Sequence, residues 1–153
     1  KEILKNSSSN PLILRIPEIL SSESITCQKS FNQKIMQTVE SKQVIELTNT
    51  SHFQPTSSTN IADVILELSE RKDLHGIFHW AGSETISEYD LATLILNRAN
   101  VENPQDFIKL KDDSMKRNFC MELQPLKNKL KTKPLSLKEI FEELDYKEPL
   151  KFN

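Results

Sequence analysis

Gly76-Ile77-Phe78-His79-Trp80-Ala81-Gly82, followed by Ile86-Ser87-Glu88-Tyr89-Asp90-Leu91-Ala92, is the most informative stretch of this 153-residue chain. Its first half is a short apolar run between two glycines, which has the length of a buried strand rather than a helix. Its second half opens Ser-x-x-Asp, the form of a capping box with Asp in place of the usual Glu. Leu91, Leu94, Ile95 and Ala99 then recur at helical spacing, so a helix with one apolar face follows. A strand feeding an amphipathic helix is the repeating unit of an α/β fold.

The same alternation extends outward from this stretch. Upstream, Leu12-Ile13-Leu14-Arg15-Ile16 reads as a buried strand closed by Pro17. Phe31, Ile35, Met36 and Val39 predict a helix over 30–41, and a brief strand is expected over 44–47 before a polar loop through Pro55. Thr59 or Asn60 is the candidate N-cap of the next helix, with Asp63 in its first turn and Ile61, Val64, Ile65 and Leu68 facing inward. Downstream, 107–110 and 120–123 are expected as short strands. Pro134 precedes a closing helix over 136–144, with Leu137, Ile140, Phe141 and Leu144 on one face. Residues 1–4 read as the last turn of a helix. This gives an α/β domain over 1–144 and a tail over 145–153. On this reading Phe78 is a core strand residue, and its truncation to Ala is expected to cost about 3–5 kcal/mol.

Composition removes several function classes. With 20 basic and 22 acidic residues the net charge is -2, which leaves no basic field for nucleic acid. No apolar run approaches the ~20 residues of a membrane span. The start Lys1-Glu2-Ile3-Leu4-Lys5 has neither an initiator Met nor a signal-peptide core, as expected of a fragment or a processed cytoplasmic chain. Cys27 and Cys120 lie far apart and read as reduced thiols. His52, His75 and His79 have no metal-ligand pattern, so no metal is expected. Gly76 and Gly82 are the only glycines. No GxGxxG or Walker A turn can be written, and the chain cannot build the usual pyrophosphate cradle. Glu67, Glu70, Asp112, Asp113, Glu142 and Glu143 read as solvated acids.

Trp80 and Arg15 both stand towards the ends of apolar strands. Trp80 reads first as core and only then as a ligand platform, since ligands bind at strand ends of open α/β sheets. A buried Arg15 would need either an ion pair or a ligand, and the sequence leaves both open.

Four segments, in order, resemble the C-terminal, substrate-binding half of the RmlD-like branch of the extended short-chain dehydrogenase/reductases. They are Leu12 to Pro17; Gln54-Pro55-Thr56 leading to Asn60-Ile61-Ala62-Asp63-Val64; Gly76 to Gly82 with Ile86 to Ala92; and Lys116-Arg117-Asn118-Phe119-Cys120-Met121-Glu122-Leu123. The last is similar to the family's Arg-Pro…Leu-Asp segment, with the proline absent. The resemblance implies a Rossmann-like fold and, for the full-length family, NADP. The family's glycine-rich turn and catalytic Tyr-x-x-x-Lys pair would precede Lys1, so no catalytic residue is expected in this chain and no NADP binding by it alone. The resemblance further implies that Pro17, Glu18 and Ile19 lie beside the nicotinamide end, with Glu18 standing where an apolar residue is usual. Candidate pocket residues are Arg15 and Trp80 at the strand ends, with Pro55, Thr56 and Arg117 on the resembling segments.

Within the branch, Leu14-Arg15-Ile16-Pro17 and Gly76-x-Phe78-His79-Trp80 look more like the regulatory beta subunits of methionine adenosyltransferase than like the dTDP-4-dehydrorhamnose reductases. That likeness implies a non-catalytic role in S-adenosylmethionine synthesis and a catalytic subunit as partner. Tyr146, Leu150 and Phe152 of the tail are then its docking anchors, with a frayed chain end as the alternative reading of the same residues. A reductase fragment and a free-standing interaction module are the alternatives.

Overall fold

The computed structural model describes residues 11–22, 29–113 and 115–144. The expected turn at 1–4, Cys27 and the tail with Tyr146, Leu150 and Phe152 lie outside the described residues. The chain runs β1 (Leu12–Arg15), β2 (Ile19–Leu20), α1 (Phe31–Glu40), β3 (Ile45–Leu47), β4 (Ser51–Phe53), β5 (Thr56–Ser57) and α2 (Ser58–Ser69). It continues with β6 (Gly76–His79), β7 (Ile86–Ser87), α3 (Glu88–Arg98), a 3-10 turn (Pro104–Asp106), β8 (Ile108–Leu110), β9 (Arg117–Asn118), α4 (Gln124–Lys127) and α5 (Leu137–Glu143). The class is α/β, as the alternation of patterns predicts.

The strands form short ladders, mostly parallel. β1 pairs β6 with Leu12 opposite Gly76, and the Trp80 N–H donates to the Arg15 carbonyl to extend the ladder. β2 pairs β5, and β3 pairs β8 with Ile45 opposite Ile108. β4 lies between an antiparallel β7 and a parallel β9. Parallel ladders need crossovers, and the helices supply them. Gly76 starts β6 at φ +102°, a conformation that side chains with a Cβ rarely adopt.

Two apolar clusters hold the layers together. The larger joins Ile35, Met36 and Val39 of α1 to Leu91, Ala92, Ile95 and Leu96 of α3, and to Ile140 and Phe141 of α5. The smaller packs Ile61 and Val64 of α2 with Trp80, Leu126 and Leu130 behind the β1–β6 pair. Helix ends follow the chemistry of their caps. Ser136 and Glu139 form a reciprocal capping box on α5. Ser87 accepts from the Asp90 N–H on α3 and gives its own hydroxyl hydrogen to the Asp90 carboxylate at 2.6 Å.

Several expectations need correction. The N-cap of α2 is Ser57, not Thr59 or Asn60, so Asp63 falls beyond the first turn. Ile65 belongs to the outer face, where it is exposed beside Leu66. The loop before Pro55 contains β4, and the strand expected over 120–123 is displaced to Arg117–Asn118. The two strands read as buried are half-buried, and full burial comes just past β6 at Trp80 and Ala81. Phe78 is among the half-buried residues, with the Lys129 ammonium 5.8 Å from its ring centroid. Its truncation should therefore cost less than the core value, nearer about 1–2 kcal/mol, which denaturant melts would resolve.

Glu67 is not simply solvated. It accepts from the backbone N–H groups of Lys131 and Thr132 and from the Thr132 hydroxyl, clamping the chain after α4 onto α2. These donors, the Thr132 N–H first, hold its carboxyl below the ordinary range. Asp73 is held at about 2, chiefly by its hydrogen bonds from Arg71, which also donates to the Lys129 carbonyl. Both folded pKa values are depressed. Their stabilisation is thus complete above the unfolded carboxylate range near pH 4 and is lost as pH falls through the folded values. Melting temperatures of the chain should fall between about pH 4.5 and pH 2, and a Glu67→Gln/Asp73→Asn variant should lose less over that window.

Candidate functional site

Where β1 ends, the chain turns through Ile16, Pro17 and Glu18 and opens a cleft. The other walls come from the first residue of α1, Phe31, the last of β4, Phe53, the first of α3, Glu88, and Phe119 and Met121 after β9. The cavity measures about 350 Å³. Backbone pairing fixes these pieces. The Thr56 N–H donates to the Glu18 carbonyl at 3.3 Å, and the Phe119 N–H donates to the His52 carbonyl at 2.8 Å. The Met121 N–H donates to Gln54 Oε1 at 2.6 Å. Phe31 and Phe53 meet edge to face with ring centroids 6.1 Å apart.

Strand alternation builds a second, polar hollow from neighbouring residues of the same strands. His52 and Arg117–Asn118 line it with Asn49, Thr50, Thr85 and Lys116. Arg117 is half exposed and lies 3.6 Å from the Asp113 carboxylate.

The candidate residues therefore separate into four places. Pro17 and Glu18 line the apolar cleft, while Ile19 continues into β2 and packs against the smaller cluster. Pro55, Thr56 and Trp80 are fully buried. Trp80 donates its indole N–H to Asn60 Oδ1 at 2.8 Å, Asn60 donates to the Lys133 carbonyl at 3.0 Å, and Thr56 also points its hydroxyl at Asn60. These three residues are core, not wall. Arg117 belongs to the polar hollow. Arg15 is exposed at the end of β1, so the expectation of a buried guanidinium needing a partner is overturned. It lies beyond the last covered residue of its strand, where water solvates the charge. Phe31, Phe53, Glu88, Phe119 and Met121 were not legible as cleft residues, because they come from separate segments. Phe119, 56% exposed, carries a faint signal as an aromatic beside charged and polar neighbours. Among the described residues no group of His, Cys, Asp or Glu could hold a metal.

The profile of the RmlD substrate binding domain matches residues 1–151. The chain belongs to that family. A solved dTDP-4-dehydrorhamnose reductase from Bacillus anthracis, in complex with NADP, superposes with a TM-score of 0.69 at 14% identity over 90% of this chain and 48% of its own. A hypothetical dTDP-4-dehydrorhamnose reductase from Sulfolobus tokodaii does so with a TM-score of 0.65 at 25% identity over 92% of this chain and 47% of its own. Among curated proteins, methionine adenosyltransferase 2 subunit beta of Xenopus laevis is 35% identical over 60 residues, 35% of this chain and 18% of that protein. The chain thus spans about half the length of those two structures and less than a fifth of the curated relative.

In this RmlD-family domain the apolar cleft by itself does not fit a pyrophosphate. The charged groups lining its apolar cleft are Glu18 and Glu88. Neither glycine lies in that lining, and a Cβ on Gly82 would meet the Pro55 carbonyl oxygen, so its closeness serves packing rather than a phosphate. Isothermal titration of the 153-residue chain with NADP should show no binding tighter than about 1 mM. A micromolar dissociation constant would show that these residues suffice. Among the described residues, no helix is long and apolar enough to cross a membrane.

Proposed function

We propose that this chain is the substrate-binding-type half of a non-catalytic regulatory subunit that docks on a methionine adenosyltransferase catalytic subunit and modulates S-adenosylmethionine synthesis. The 60-residue stretch 35% identical to the Xenopus laevis beta subunit carries this reading. A cytoplasmic setting, and the division into a domain over 1–144 and a docking tail over 145–153, belong to the same proposal. In it Phe152 and Leu150 seat in an apolar groove of the partner, with Tyr146 beside them.

Surface plasmon resonance with immobilised chain should capture a methionine adenosyltransferase catalytic subunit with a Kd of about 1 μM or tighter. Deleting residues 148–153 should abolish capture and leave the melting temperature nearly unchanged. Unaltered capture after the deletion removes the docking role of the tail, and no capture by the intact chain sinks the regulatory reading. The second reading, one half of a nucleotide-sugar reductase, draws on the likeness of fold to the Bacillus anthracis enzyme. NADPH-dependent reduction of a dTDP-linked keto sugar, by this chain within a longer protein carrying a dinucleotide-binding half, would favour it.

A further inference from the structure

We propose that the apolar cleft is a binding site for an organic cation, a sulfonium or quaternary ammonium ligand with an apolar or aromatic body. Its charged lining residues are Glu18 and Glu88, and no Lys, Arg or His contributes among the described residues. The ion pairs among those residues join Arg71 to Asp73, Arg117 to Asp113 and Lys138 to Glu142, so no side-chain cation among the described residues pairs with Glu18 or Glu88. The remaining walls include Phe31, Phe53, Phe119 and Met121.

Ring faces attract cations through their quadrupoles, and the polarisable thioether of Met121 adapts to an irregular ligand. A weakly hydrated cation loses little on leaving water, and it meets two carboxylates in walls that otherwise offer few hydrogen-bonding partners. An anionic ligand would bring like charge against those carboxylates. The cavity of about 350 Å³ lies at the small end of the usual range for small-molecule sites, so it suits a compact ligand. A chain that captured no catalytic subunit should bind the cation all the same, so this proposal and the docking reading fail separately.

The test compares two probes of one shape by NMR titration of the 153-residue chain: (3-hydroxyphenyl)trimethylammonium and the neutral 3-tert-butylphenol. The cation should bind about tenfold more tightly. The Glu18→Gln/Glu88→Gln variant should bring the two within about twofold of each other. A measurement on the native chain stands beside the variant: raising NaCl from about 0.05 M to about 0.5 M should weaken the cation and leave the phenol unmoved. Equal affinities in the native chain would overturn the proposal. So would discrimination that survives both the double substitution and high salt, or NADP displacing the cation at lower concentration.

Discussion

Gly82→Ala should destabilise this domain by at least about 3 kcal/mol, more than the same change at Gly76. A Cβ at Gly82 would sit 2.1 Å from the Pro55 carbonyl oxygen and 3.2 Å from that of Leu135. Both obstacles are backbone. Pro55 is buried ahead of β5, and the Leu135 carbonyl already accepts from the Ser83 N–H at 2.8 Å. Relief would require three segments to separate. Gly76 gives the contrast, for a Cβ there meets nothing within 4 Å and the cost is only that of φ +102°. Gly76→Ala should therefore lose about 1–2 kcal/mol. Urea melts of the two variants rank the effects, and a Gly82→Ala loss below about 1 kcal/mol would show that the chains are not so closely apposed.

Trp80→Ala should cost about 3–5 kcal/mol, the usual range for truncating a large buried aromatic. Its side chain is fully buried against Ile61, Val64, Leu126 and Leu130, and its indole N–H is held by Asn60. Replacing Asn60 by Leu would orphan that N–H and the Lys133 carbonyl, each worth about 1–3 kcal/mol when left unpaired. The polar link and the packing can be separated. In a double-mutant cycle of Trp80→Phe with Asn60→Leu, the coupling should reach about 1 kcal/mol. Coupling near zero would mean that water serves the indole instead.

The helices were the legible part of the fold. α1 and α5 announce themselves by apolar residues at helical spacing and by a Ser directly ahead of the first turn. α2 shows where local reading stops. Thr56, Ser57, Ser58, Thr59 and Asn60 are all acceptable caps, and the choice falls on Ser57 because the Asn60 side chain is taken by Trp80, twenty positions on. The outward turn of Ile65 and Leu66 has the same origin, since the fold covers one stripe of α2 and the sequence does not say how wide. β9 has two residues, both polar and exposed, and nothing in its composition marks a strand. For the cleft, Pro17 and Glu18 were named only through the family resemblance, which implies that they lie beside the nicotinamide end. Glu88 was hidden inside a capping motif and Phe31 inside a helical stripe, because one residue can serve both a local and a distant geometry.

The parallel ladders have a kinetic consequence. Leu12 pairs at Gly76, Ile45 at Ile108 and Ser51 at Arg117, so each contact closes a loop of roughly sixty residues. Such non-local pairing places folding towards the slower end of single-domain rates. During synthesis β3 waits for Ile108–Leu110, and β4 finds its parallel neighbour only when Arg117–Asn118 has cleared the ribosome. Nearly four-fifths of the described chain must be made before these ladders can close, and through that interval the apolar faces of α1 and α3 stand open to chaperones and to one another.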